Sequence, residues 1–219
     1  MQRTILVGVA ALVASCLSTA FAQDFSRFNF NIGGGPSAPI NPTAQYVGLS
    51  GNFNIGAGYN INKKNSITGE FLWVGLPSNL NFHPIDAPSI DMNLYSLAVN
   101  YRYHADSIRG SHFGLYALGG GGWYYRHASL DRNIIVPPST VCTPIYFWWG
   151  YGCDPGGYVI SEQIASRGNS AGGVNAGVGF TVRLTDSGLK FYVESRYHYA
   201  WTSRVPTTFA PVTFGFRFN

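Results

Sequence analysis

An eight-stranded antiparallel transmembrane β-barrel is the fold predicted by three features of this sequence. Eight stretches alternate large apolar or aromatic residues with small polar ones at a period of two, the mark of a strand with two unlike faces. The connections between these stretches alternate long and short. Charged residues make up only 11% of the chain while aromatics reach 16%. An ordinary soluble domain carries about a quarter charged residues.

The chain opens with a segment expected to be removed. Arg3 gives a positive start, Ile5 to Val13 is apolar, and Ala20-Phe21-Ala22 is a small-x-small cleavage site before Gln23. Residues 1–22 read as a secretory signal peptide and 23–219 as one barrel domain. A lipoprotein signal ending at Cys16 is the competing reading; the apolar stretch after Cys16 and the better site at Ala22 argue against it. Losing Arg3 leaves thirteen bases against ten acids, a net charge of +3. That charge is mild and scattered, and export removes the chain from nucleic acid, so no nucleic-acid partner is expected.

The first strand is read at Arg27–Gly33, with Phe28, Phe30 and Ile32 opposite Asn29 and Asn31. A loop follows at Gly34–Ala44. The second, Val47–Ile61, has the clearest alternation, VGLSGNFNIGAGYNI, and ends in the turn Asn62–Asn65. The third runs Ser66–Leu76, and a proline-rich loop spans Pro77–Asp91. The fourth is Asn93–His104, closed by the turn Ala105–Ser111. The fifth, His112–His127, carries Gly119 to Gly122 at its middle, where glycine permits bending or close approach. The longest external loop is placed at 128–169. The last three strands are Gly172–Leu184, Leu189–Trp201 and Val212–Phe218, joined by a tight turn at Thr185–Gly188 and a loop at Thr202–Ala210.

Short turns on one side and long loops on the other are the layout of an outer-membrane barrel, with the turns periplasmic. The faces set which side points inward. A soluble ligand-binding barrel places large apolar residues inside and charges outside. Here the polar face is mostly Gly, Ser, Asn and Thr, which suit a narrow lumen, and the apolar face then meets lipid. Trp73, Tyr95, Trp123 and Trp201 fall near the external strand ends, and Tyr59 and Tyr101 near the periplasmic ends, forming two aromatic girdles.

The signal peptide, the strand pattern, Gly119 to Gly122 and the alternating end Val212–Phe218 resemble the eight-stranded outer-membrane β-barrel family of Gram-negative bacteria, the porin-like outer-membrane protein β-barrel domain group. The resemblance spans nearly all of the mature chain. It implies residence in the outer membrane and assembly by the barrel-assembly machinery, which reads the terminal strand. Members commonly end in Phe; here Phe218 is followed by Asn219. Some small barrels of this kind are lipid A deacylases with a His-x-Ser pair and a late Glu. This chain has His198 but Ala200 in place of the Ser, and His198 falls on the inner face. His83, His104, His112 and His127 have no metal-ligand spacing. No enzyme, metal or cofactor is therefore expected.

Two places hold the remaining chemistry. The inward face puts Glu70, Glu194 and Arg196 at mid-membrane height, where unpaired charges are expensive, so they are expected to pair across the lumen. Arg27, Arg102, Arg183, Lys190 and Arg217 lie nearer the periplasmic rim and are expected to be hydrated. A polar plug and a narrow pore are both compatible with this arrangement. In the third loop, Cys142 and Cys153 are the cysteines left after cleavage, and an oxidising compartment favours a bridge between them. It would stabilise the short loop by about 2–3 kcal/mol and present Tyr146, Phe147, Trp148, Trp149 and Tyr151 as an aromatic knob. The knob either anchors an extracellular protein or glycan or rests on the outer-membrane lipid. The expectation is a monomeric barrel with a structural or surface-interaction role, with a small passive channel as the alternative.

Overall fold

A computed structural model of the chain describes residues 27–78, 89–105, 113–136, 143–147, 150–154, 158–185 and 188–218. Among these residues the strands are β1 Phe28–Pro39, β2 Ser50–Asn60, β3 Asn65–Gly75, β4 Ser89–His104 and β5 Phe113–Val136. They continue as β6 Thr143–Phe147, β7 Gly150–Asp154, β8 Tyr158–Arg183, β9 Leu189–Ala200 and β10 Thr207–Phe218. Eight of them close into an antiparallel barrel in the order β1-β10-β9-β8-β5-β4-β3-β2. The remaining pair, β6 and β7, forms a separate hairpin. Residues 1–26, which include the expected signal peptide, lie outside the described residues.

The faces follow the alternation. Phe28, Phe30, Ile55, Leu97, Val99, Leu115 and Val178 are exposed on the outer surface. Asn29, Asn31, Asn54, Thr68, Asn100 and Thr213 are buried inside. Such an outer face is stable only against hydrocarbon. Aromatic pairs mark its edges. Trp73, Tyr95 and Tyr125 sit side by side across three strands, and the rings of Trp123 and Tyr125 stack 5.6 Å apart. At the opposite edge, Phe28 and Tyr59 meet edge to face at 5.7 Å.

Several strands run further outward than the sequence pattern predicts, although β2 starts at Ser50 and not at Val47. β1 passes through the expected loop to Pro39, and β10 starts at Thr207 rather than Val212. A Cβ on Gly35 would lie 2.1 Å from the Val212 carbonyl oxygen, so the absence of a side chain there lets β1 and β10 stay paired. The largest correction concerns 128–169, expected as an external loop. β5 and β8 stay in register from Phe113↔Val182 to Val136↔Tyr158, with one bulge at Leu130/Asp131. Outside the bilayer neither face of this ribbon meets lipid, so the period-two contrast disappears although the ladder does not.

Candidate functional site

Large side chains in the lumen sit opposite glycines. Gly179 is paired with Glu194 and faces Tyr116, whose ring would lie 2.5 Å from a Cβ placed there. Gly177, paired with Arg196, leaves room for the guanidinium stem. The small residues of the polar face are therefore space for a few long ones.

Those long residues form one buried cluster. Arg196, from β9, makes ion pairs with Glu70 of β3 through Nη1 and with Glu194 through Nε. The first of these crosses the lumen. Arg102 Nη2 donates to Glu70 Oε1 at 3.0 Å, and Asn100 Nδ2 donates to Oε2 at 3.0 Å. Tyr116 Oη donates to Glu194 Oε2 at 2.8 Å and accepts from Arg217 Nη2 at 3.2 Å. The Arg102 and Arg217 guanidiniums both lie over the Tyr116 ring, at 5.3 and 4.7 Å from its centroid. Arg102 and Arg217 are thus not hydrated at the rim as expected, since each is only 1% exposed. Their Cα atoms sit low in the barrel, but the long side chains reach into the cluster.

Above the charged layer lies an apolar one. Leu72, Val74, Leu76, Leu94, Tyr124 and Phe209 pack together with Val47 from the loop after β1. His198 bridges the layers, with Nδ1 2.9 Å from Tyr124 Oη and its ring stacked 4.6 Å from Phe209. Its side chain is buried between these two partners on the inner face.

The outer mouth carries a second group of arginines. Arg126, at the base of the ribbon on β5, holds the β9–β10 loop: Nη2 donates to the Ser203 carbonyl at 2.8 Å, and Nη1 to the Val205 carbonyl at 3.1 Å and to Thr207 Oγ1 at 3.3 Å. Asn169 of β8 donates to Ser203 Oγ at 2.9 Å. Between this loop, the ribbon base and the short 3-10 turn Thr43–Gln45 lies a cavity of about 380 Å³. Arg126, Arg167 and Arg204 all line it, and among the described residues no Asp or Glu does. Sequence reading missed this group because the three residues come from three separate segments, two of them read as loop. A wider, more open cleft of about 590 Å³ adjoins it, with Asp91 in its wall.

Of the expected surface knob, the structure pairs Tyr146 with Tyr151 and Phe147 with Gly150 across the hairpin, and leaves Tyr146 exposed. Trp148 and Trp149 lie outside the described residues. So does Cys142, while Cys153 is opposite Pro144. Among the described residues, no three His, Cys, Asp or Glu side chains gather into a metal site.

A family model described as "outer membrane protein beta-barrel domain" matches residues 7–218. Among solved structures, the chain is similar to Neisserial surface protein A, with a TM-score of 0.56 at 17% identity over 88% of this chain and 97% of that one. It also matches Ail, the attachment invasion locus protein of Yersinia pestis, with a TM-score of 0.47 at 17% identity over 87% of this chain and 97% of that one. At 17% identity the likeness to Neisserial surface protein A is one of fold. No curated protein matches the chain in sequence.

Proposed function

From the premise that this chain belongs to the outer membrane protein β-barrel domain family, we propose that it is a surface-interaction protein, contacting partners through what β5, β8 and the β6–β7 hairpin raise above the membrane. The observation that carries this reading is a contrast within one molecule. Two barrel strands continue far beyond the mouth as a paired ribbon, while the lumen beneath is filled by ion pairs and capped by apolar side chains.

In this reading residues 1–22 are cleaved on export, and the barrel-assembly machinery inserts the mature chain into outer-membrane lipid. Cys142 and Cys153 pair in the oxidising compartment and brace the hairpin, with Tyr146, Phe147, Trp148, Trp149 and Tyr151 offered to an extracellular protein or glycan. The barrel works as a monomer and performs no catalysis.

Passive conduction is the competing activity, and planar-bilayer recording separates the two. The oxidised, refolded protein is expected to give no resolved current steps. Steps whose size changes in Glu194→Ala would make the barrel a channel. In the same preparation, replacing 137–157 by a short Gly-Ser turn is expected to abolish capture on arrays of extracellular glycans and matrix proteins. Capture that survives this replacement would remove the hairpin from the function.

A further inference from the structure

The mouth cavity has an unbalanced charge. Arg126, Arg167 and Arg204 line it, and among the described residues no carboxylate does. Arg126 is spent on the β9–β10 loop, whereas the Arg167 and Arg204 side chains are exposed and have no hydrogen-bond or ion-pair partner among the described residues. Arg126 and Arg167 line the same cavity, so an anion there would relieve the repulsion between like charges.

The rim is also fixed before any ligand arrives. Arg126 and Asn169 pin the loop at Ser203 and Val205, on either side of Arg204, whose backbone is held at φ 69°. A non-glycine residue in this left-handed region is strained, and such strain persists only where its surroundings enforce it. Val47, Leu76 and Met92 give the cavity an apolar part of its lining. The cavity volume of about 380 Å³ lies in the range of about 300–1,000 Å³ typical of small-molecule pockets.

We propose that this cavity binds an organic phosphate monoester, with the phosphate accepting from Arg167 and Arg204 beside the fixed charge of Arg126, and the organic body resting on Val47, Leu76 and Met92. Three cations favour a group carrying close to two negative charges over a carboxylate or a sulfate ester, which carry one. The guanidinium fork matches phosphate oxygens two at a time. The apolar wall selects an organic ester over inorganic phosphate. The site is separate from the ribbon's partner and does not depend on the ribbon having one.

The test uses the full mature chain in phosphatidylcholine nanodiscs, with 1-naphthyl phosphate as the fluorescent probe. It is expected to bind more tightly than 1-naphthol or inorganic phosphate. Arg167→Gln/Arg204→Gln is expected to weaken it by about tenfold or more. Lys63→Gln, in the periplasmic turn, leaves it unchanged. Both arginines are exposed, so cooperative unfolding should be retained; Arg167→Gln alone serves if the double variant misfolds. Nanodiscs containing phosphatidic acid identify the source. Displacement of the probe means that a membrane headgroup supplies the phosphate, and undiminished binding means a ligand from solution. Binding no stronger than that of naphthol, or full affinity in the arginine variants, would overturn the proposal.

Discussion

Two groups of three arginines occupy one barrel and lead opposite lives. In the lumen, Arg102, Arg196 and Arg217 are almost fully buried, and Glu70, Glu194 and Tyr116 meet them. At the mouth, Arg126, Arg167 and Arg204 share a cavity with no acid in its wall among the described residues. A buried charge stays buried only with partners supplied by the fold. A charge facing water can wait for a partner from elsewhere. The first group therefore belongs to the architecture, as does Arg126 through its bonds to the β9–β10 loop, while Arg167 and Arg204 are where the molecule is open to its surroundings.

Substitutions sharpen this contrast, and the lumen should give the largest effects. Glu194→Ala strips partners from Arg196, Arg217 and Tyr116 together, and is expected to lower unfolding free energy by about 3–5 kcal/mol, read from urea titration in lipid vesicles. Adding Arg196→Met should recover part of that loss, because it removes a cation left buried. Gly179→Val, which drives a side chain into the Tyr116 ring, is expected to lose about 1–3 kcal/mol in the same titration. At the mouth the scale falls. Arg126→Met should reduce stability by about 1 kcal/mol and speed protease cleavage within 202–206. Arg204→Gly should gain about 0.5 kcal/mol by relieving the left-handed backbone, seen as a small rise in unfolding midpoint. A mouth substitution as damaging as Glu194→Ala would erase the distinction between the two groups.

How legible the molecule was in its sequence follows the same division. Wherever one face meets lipid and the other the lumen, side chains must alternate, and Phe53, Ile55 and Tyr59 opposite Asn52 and Asn54 declare both strand and orientation. Glu70, Glu194 and Arg196 were legible for the same reason, as rare charges on an inward face. Arg102 and Arg217 were misjudged because the height of a Cα does not report how far a guanidinium reaches. The ribbon was hidden because its ladder is made of backbone, which leaves no alternation once lipid is gone. The mouth cavity was hidden more deeply, since only the closed barrel brings Arg126, Arg167 and Arg204 together.

The seam between β1 and β10 has a consequence in time. Phe30 pairs with Phe218, and Ile32 with Phe216, so the ring is joined by segments from nearly opposite ends of the chain. Every other neighbouring pair of barrel strands is consecutive along the chain or, for β5 and β8, separated by the surface hairpin. A sheet can therefore grow from β1 through β9 with both margins open, and neither margin is satisfied until the final strand arrives. Loop closure of that length is slow, and an open strand margin invites pairing with the wrong chain. The cross-lumen contact of Arg196 with Glu70 also needs curvature that a flat sheet lacks, so this pair forms only as the ring shuts, whereas Arg102–Glu70 and Arg196–Glu194 join neighbouring or identical strands. Closure of the seam and formation of the cross-lumen ion pair then become a single late event.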